Sequence, residues 1–266
     1  MSEPRDRPTS PGWYATPTVQ YAVEPGFDVA PIEAYVRTQT GRYLNPWYKR
    51  LQHTYAAYPG MYGEEPSTPA LHAASVFRAA GASDVPELGA GHGRDALYFA
   101  REGFTVQATD FSATGLQQLQ EAAGAQSVER RVTTAVQAVR DPLPLPDACV
   151  DAVFAYMLLY MALSTQEIQA LVGEIRRVLR PAGEFVYTVR HTGDAHYGAG
   201  TAHGDDIYEH GGFAVHFFDR GLVDALADGW TLNEVHSFEE GDLPRRLWRV
   251  TQTPAGESTA GAGQDA

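Results

Sequence analysis

The chain is 266 residues long, a length that suits one large α/β domain better than two equal domains. It contains 20 Lys and Arg against 33 Asp and Glu, which gives a formal net charge of −13, and Lys49 is its only lysine. Because an acidic surface repels phosphate backbones and anionic headgroups, we expect a small-molecule substrate and neither nucleic acid nor a membrane as partner.

The cysteine content and the length of the apolar runs further limit the class of protein. Cys149 is the sole cysteine, which excludes an intramolecular disulfide and a cysteine-based zinc cluster. Residues 1–17 lack the apolar stretch of a secretory signal, and the longest apolar run, 152–163, has 12 residues, too few to cross a bilayer. We therefore expect a cytoplasmic protein, either a monomer or a homodimer.

Composition divides the chain into four parts. Residues 1–12 and 253–266 are dominated by small, polar and charged residues, which is typical of disorder. Residues 13–67 are expected to form a helical, aromatic-rich cap. Residues 68–252 are expected to form the main domain.

The expected cap is marked by its aromatic side chains. Residues 13–62 contain 11 of the 29 aromatic residues in the chain. Asn45 can cap a helix with Pro46 at its first position, and apolar residues then recur at helical spacing. We expect several of these rings, including Tyr62, to line a substrate pocket beneath a lid.

From Thr68 onward, helix and strand signals alternate, as in a doubly wound, mostly parallel, seven-stranded Rossmann-like sheet of the α/β class. The expected strands are 84–88, 105–109, 131–139, 150–156, 184–190, 230–238 and 246–251. The expected helices begin near Thr68, Arg94, Ala113, Ser164 and Asp219. Ser164 and Glu167 have the spacing of a capping box.

The strongest chemical signal is ELGAGHGRD at 87–95, where a strand ends, a glycine-rich turn follows and a helix begins. The alternating glycines, Gly89, Gly91 and Gly93, let a ligand lie against bare backbone at a helix N-terminus. A dinucleotide site would need G-x-G-x-x-G, but here Arg94 occupies the third glycine position. The glycine spacing therefore disfavours an NAD-dependent dehydrogenase.

Asp110 ends the second expected strand, 21 residues after Gly89, where a carboxylate can accept both hydroxyls of a ribose. With this turn and this acid, residues 68–251 resemble the class I S-adenosylmethionine-dependent methyltransferases. The segments 141–163 and 176–189 resemble further parts of that family. The resemblance implies S-adenosylmethionine as cofactor and S-adenosylhomocysteine as product. It also implies cofactor contacts from Glu87, Gly89, Ala90, Gly91, Gly93, Asp110, Phe111, Ala138, Val139 and Tyr156.

A narrower resemblance links MYGEEPS (61–67) and residues 196–218 to the small-molecule branch that includes tellurite-resistance methyltransferases. Two positions depart from the family pattern. Pro86 lies within a central strand, which we expect to bend there. Ala138 stands where family members often carry an Asp for the adenine amino group, so the Val139 amide or Asp141 is expected to serve instead.

Five of the nine histidines fall between 191 and 216, namely His191, His196, His203, His210 and His216. Their spacing lacks the short ligand pair of common zinc sites, so we expect no metal. His191 directly follows strand five at the carboxyl edge, where such sheets bind ligands, and is our expected catalytic base. Tyr160 is the second expected catalytic residue. The expected substrate contacts are Tyr62, Tyr160, His191 and His196.

We expect methyl transfer to a small organic acceptor, at a hydroxyl or carboxyl oxygen, of the kind used in secondary metabolism. Within the same fold, the alternative is a tellurite- or selenite-type oxyanion methyltransferase. The aromatic cap disfavours this alternative, because the cap is larger than an anion of a few atoms requires. A non-catalytic S-adenosylmethionine-binding module is the other alternative, and Ala138 favours it.

Overall fold

The computed structural model describes residues 55–58, 60, 62–241 and 245–256. Most of the expected cap, the 1–12 end and residues 257–266 lie outside the described residues. The start of the helix predicted from Asn45 also lies outside them, whereas residues 55–57 are described and helical.

Five helices lie within 62–241, and local sequence explains where they begin. Ser67, Ser112, Ser164 and Asp219 each accept a backbone N–H bond at a helix N-cap. The capping box is confirmed, because Glu167 also accepts from the Ser164 amide at 2.8 Å. The helices are α1 Thr68–Ala79, α2 Arg94–Arg101, α3 Ala113–Ala125, α4 Thr165–Val178 and α5 Arg220–Leu226.

The described residues form ten strands in two sheets. The strands are β1 Asp84–Leu88, β2 Thr105–Asp110, β3 Val132–Val136, β4 Val150–Ala155, β5 Leu179–Arg190, β6 Thr201–Gly204, β7 Ile207–His210, β8 Phe213–His216, β9 Trp230–Glu240 and β10 Arg245–Pro254. The main sheet has the order β3-β2-β1-β4-β5-β10-β9. Its first five strands are parallel, and β10 is antiparallel to both neighbours. The predicted seven-stranded, mostly parallel sheet is confirmed.

Helices cover both faces of this sheet. On one face, α1, α2 and α3 bury a cluster that includes Phe77, Phe99 and Phe154. On the other, α4 and α5 bury a second cluster that includes Ile175 and Phe185. This arrangement leaves the carboxyl edge of the parallel strands for ligand binding.

Pro86 lies inside β1 without ending the strand. The Ser83 carbonyl and the Gly89 amide, on either side of it, both bond to β2 or its end. Because backbone groups alternate in direction along a strand, the backbone nitrogen of Pro86 points toward β4, with which β1 has the single residue pair Glu87 and Phe154. The missing N–H of Pro86 therefore reduces hydrogen bonding to β4 and leaves the five-residue pairing with β2 intact.

The bounds of six predicted strands differ from the structure by one to five residues at an end, as in β3 and β5. β3 ends at Val136 and not at 139. β5 begins at Leu179, directly after α4, and its residues 180–183 bulge between the pairs Val150–Leu179 and Ala152–Glu184. Gly183 permits this bulge, because a Cβ there would lie 2.9 Å from two backbone oxygens.

A three-stranded antiparallel sheet, β6-β7-β8, occupies the histidine-rich stretch, for which the sequence analysis predicts no strands. Its strands have four residues each, and two-residue turns join them. Asp205 and Asp206 have positive φ in one turn, and Gly211 and Gly212 have positive φ in the other. Such turns match the twist of a hairpin.

Candidate active site

The glycines of the turn between β1 and α2 have different neighbours and different structural roles. A Cβ at Gly91 would lie 2.5 Å from the Tyr55 hydroxyl, whereas one at Gly93 would lie 2.2 Å from a methyl of Leu119. All three glycines of the turn have positive φ. Gly91 therefore keeps the turn open toward a cleft, while Gly93 allows α3 to pack against the turn.

Asp110 at the end of β2 faces this turn. Its carboxylate accepts from the Gly91 amide at 2.8 Å and from the Ser112 amide at 2.7 Å. Burial raises the pKa of Asp110 to about 6, although these two hydrogen bonds lower it. The carboxylate thus fixes the turn and presents a buried acceptor.

Glu87, at the end of β1, is a second buried acid. Among the described residues, its Oε2 atom is buried without a hydrogen-bond partner. Burial raises its pKa well above the ordinary value, Asp95 and Asp110 raise it further, and Arg94 opposes them. Glu87 can therefore accept a hydrogen bond from a bound donor, preferably a cationic one.

Arg94, the first residue of α2, connects the turn to the aromatic residues around it. Its guanidinium donates to the Tyr62 carbonyl at 2.7 Å and lies 5.3 Å from the centre of the Tyr156 ring. The Tyr55, Tyr62 and His92 rings pack against one another with centroids 5.7 to 6.5 Å apart. Tyr55 and Tyr62 are the described residues of the expected cap that reach the turn.

These groups surround two connected clefts. The turn cleft has a cavity volume of about 90 Å³ and is lined by residues that include Glu87, Gly91 and Asp110. The adjoining cleft has a cavity volume of about 310 Å³. The two clefts share Tyr62, Arg94, Tyr156, Met157 and Met161 as lining residues, so a ligand in one lies next to a ligand in the other.

Tyrosines form one side of the adjoining cleft. The Tyr156 hydroxyl donates to Glu240, and burial and this carboxylate raise its pKa. The Tyr160 hydroxyl is buried and has no hydrogen-bond partner in the described part of the chain. Burial raises the Tyr160 pKa, against the opposing charges of Arg245 and Arg190, so this hydroxyl stays protonated at neutral pH.

A buried ion pair lies behind another part of the adjoining cleft. Arg190 donates to Asp194 through its Nε atom at 3.2 Å and an Nη atom at 2.6 Å. The Nδ1 atom of His196 lies 3.2 Å from the same carboxylate and 3.1 Å from Arg190. When the Nδ1–H group of His196 donates to Asp194, the Nε2 atom of His196 carries the lone pair that can accept a proton.

The structure brings most of the sequence-predicted residues to these clefts. Those that line the turn cleft are Glu87, Gly89, Ala90, Gly91, Asp110, Phe111 and Tyr156. Those that line the adjoining cleft are Tyr62, Tyr156, Tyr160 and His196. Gly93, Ala138, Val139 and His191 line neither cleft.

His191 points elsewhere because side chains alternate along β5. Arg190 faces the adjoining cleft, whereas the next side chain, His191, stacks on Trp248 with ring centroids 4.6 Å apart. The Nδ1 atom of His191 also accepts from the Gly193 amide at 3.0 Å. Ala138 and Val139 follow the early end of β3 and lie in a loop.

The remaining histidines of the cluster have separate surroundings. His210 lines the adjoining cleft, His203 lies 3.0 Å from Glu209, and His216 donates to the Leu163 carbonyl at 2.7 Å. Within the described ranges, no group of three or more His, Cys, Asp or Glu is arranged to hold a metal ion.

Sequence reasoning missed several residues of the adjoining cleft, including Arg190, Glu240 and Arg245. Glu240 and Arg245 lie at facing ends of β9 and β10, which the sequence marks only as a hairpin-like tail. The sequence feature that could have drawn attention to the two arginines is the scarcity of cations in an acidic chain.

Comparison with known proteins identifies the domain. Residues 85–183 match the model of a family described as a methyltransferase domain. The chain is similar to the CcbJ methyltransferase from Streptomyces caelestis, with 23% identity and a TM-score of 0.60 over 77% of this chain and 96% of that one. The sequence matches no curated protein.

Two further solved structures share the fold. One is the 1,6-didemethyltoxoflavin-N1-methyltransferase of Burkholderia thailandensis, crystallised with 1,6-didemethyltoxoflavin and S-adenosylhomocysteine. It has 18% identity and a TM-score of 0.61 over 88% of this chain and 94% of that one. The other is TehB from Haemophilus influenzae, with 14% identity and a TM-score of 0.55 over 71% of this chain and 62% of that one.

The match over residues 85–183 and the fold shared with these structures indicate an S-adenosylmethionine-dependent methyltransferase. No helix among the described residues is long and apolar enough to cross a membrane.

The turn cleft fits this cofactor. S-adenosylmethionine carries positive charge, and the cleft is lined by the acids Glu87, Asp95 and Asp110. The unpaired Oε2 atom of Glu87 suits the amino group of the cofactor, and Asp110 suits its ribose hydroxyls. Gly91 lets the cofactor approach the backbone.

Proposed function

We propose that this enzyme transfers a methyl group to an oxygen atom of a small organic acceptor bound in the adjoining cleft. The observation that carries the proposal is the lining shared by the two clefts, which includes Tyr62, Arg94 and Tyr156. When bound, S-adenosylmethionine supplies an electrophilic methyl group on a cationic sulfur. The protein's task is to align the acceptor and exclude water.

In this proposal, the base that deprotonates a hydroxyl acceptor is His196, oriented by Asp194. His191 has the right chain position but lines neither cleft, so it does not take this role. Tyr160, which remains protonated, donates a hydrogen bond that positions the acceptor. A carboxyl acceptor would need the positioning but no base.

The size and lining of the adjoining cleft favour an organic acceptor over a chalcogen oxyanion. A cavity volume of about 310 Å³ is more than a few-atom anion fills, and Tyr208, Phe213 and Phe217 contribute aromatic walls. The likeness to TehB concerns the fold alone. The proposal includes a cytoplasmic protein without a nucleic-acid partner, in keeping with the net charge of −13.

The test is transfer of labelled methyl groups from S-adenosylmethionine to a panel of small phenols, alcohols and acids, with alkaline hydrolysis to separate esters from ethers. For a hydroxyl acceptor, His196→Gln should lower kcat by about 10² to 10⁴ and leave S-adenosylhomocysteine affinity unchanged. His203→Gln is the matched control, because His203 pairs with Glu209 and lines neither cleft. Full turnover in His196→Gln at neutral pH would remove His196 as the base.

A further inference from the structure

We propose that the acceptor is an organic anion and that Arg245 binds its carboxylate. The inference rests on the proposed function only in identifying the ligand of the adjoining cleft as the methyl acceptor. It concerns which class of compound the enzyme selects.

Charge is divided between the two clefts. The acids Glu87, Asp95 and Asp110 line the turn cleft. The adjoining cleft is lined by three arginines and one acid, Glu240, in a chain whose net charge is −13. Such a concentration of cations in an acidic protein favours an anionic ligand at that place.

The three arginines are not equally available. Arg190 is held by two hydrogen bonds to Asp194, and Arg94 donates to the Tyr62 carbonyl and lies over the Tyr156 ring. Both guanidinium groups therefore have structural partners within the protein.

Arg245 differs from the other two. Its guanidinium lies 3.4 Å from one Glu240 oxygen, and the other Glu240 oxygen accepts from the Tyr156 hydroxyl. Within the described residues, the Arg245 guanidinium makes no hydrogen bond as short as those of Arg94 and Arg190. Its side chain is 30% exposed, so an entering ligand can reach it.

The surroundings of Arg245 suit a carboxylate. A guanidinium binds a carboxylate through two parallel N–H bonds. The Tyr160 hydroxyl lines the same cleft and is buried without a partner in the described part of the chain, so it can donate a third bond. Tyr208, Phe213 and Phe217 would then contact the apolar body of an aromatic or aliphatic acid.

The experiment is a binding screen on the full-length protein saturated with S-adenosylhomocysteine. The probes are small hydroxylated carboxylic acids, each paired with its neutral primary amide, observed by ligand-detected NMR and then by calorimetry. We expect the binders to be acids and each matching amide to bind at least about tenfold more weakly.

Variants then assign the preference to one side chain. Arg245→Gln should abolish the difference between acid and amide, and Arg245→Lys should keep part of it because the charge remains. Arg246→Gln is the matched control, because it removes the same charge from the next residue, whose exposed side chain pairs with Glu239 and lines neither cleft. Melting curves of all three variants establish that they are folded.

The outcomes separate this inference from the proposed function. Equal binding of acids and amides, no binder in either set, or an acid preference that survives in folded Arg245→Gln overturns the inference. Methyl transfer to neutral acceptors would then leave the proposed function standing. Arg245-dependent acid binding without transfer to any bound acid would uphold Arg245 as a carboxylate-binding residue and overturn the proposed function.

Discussion

Lowering the pH should weaken cofactor binding through Asp110. Burial raises the pKa of this carboxyl to about 6, and its oxygens accept from the Gly91 and Ser112 amides. The ribose hydroxyls of the cofactor would bond to the ionised carboxylate. Protonation of Asp110 therefore competes with cofactor binding.

The size of the effect follows from that pKa. At pH 5, about nine in ten molecules of the free protein would carry a proton on Asp110, so affinity should be about tenfold lower than at pH 7.5. Folding responds in the opposite direction. Because the folded state binds this proton more tightly than the unfolded state, the Asp110 contribution to the free energy of unfolding rises by about 3 kcal/mol as pH falls from above 6 to below 4.

Calorimetric titration with S-adenosylhomocysteine between pH 5 and pH 8 measures the binding effect. Asp110→Ala should bind more weakly and lose the part of the pH dependence that Asp110 contributes. Glu87→Gln is the companion variant, because Glu87 lies in the same cleft and its raised pKa adds a pH dependence of its own. Affinity that is flat across this range in Glu87→Gln, or a slope in Glu87→Gln that the added Asp110→Ala change does not remove, would refute the assignment.

Two further predictions test the turn and the expected cap. Gly91→Ala should lower S-adenosylhomocysteine affinity by at least about tenfold and lose less stability than Gly93→Ala, which should cost about 1 to 3 kcal/mol, since its Cβ would meet Leu119 in the core. Calorimetry and melting curves distinguish the two, and the reverse pattern would contradict our division of roles. Deleting residues 1–40 should lower turnover more than cofactor affinity in a variant with a normal melting curve, and equal turnover would refute a lid.

The parts of the fold that could be predicted are those encoded locally. β1 has the predicted bounds 84–88, because Gly81 precedes it and the glycine turn that starts at Gly89 follows it. The Ser164 capping box fixes the start of α4 through two bonds made within four residues. Such signals do not depend on what packs against the element.

The parts that could not be predicted depend on contacts between distant segments. The four-residue strands of the small sheet carry too few residues to show a period, and their turns include Asp205 and Asp206, a pair less typical of such turns than Asn-Gly. The sequence places Arg190 and His191 together at the carboxyl edge. Because successive side chains point to opposite faces of the sheet, only one of the two can face the cleft. Packing of His191 on Trp248 decides which one.

The charge pattern of the site has a consequence for catalysis. The negative charge of the acids in the turn cleft is offset by the positive charge of the bound cofactor. An anionic acceptor in the adjoining cleft is therefore only weakly repelled by these acids. Arg245, which lines only the adjoining cleft, would hold the carboxylate of an acceptor away from those acids. Since methyl transfer from a sulfonium to an oxygen anion consumes both charges, groups that stabilise the separate charges too strongly would slow the reaction. An anchor that binds a carboxylate remote from the reacting oxygen avoids this cost, because its charge is unchanged in the transition state.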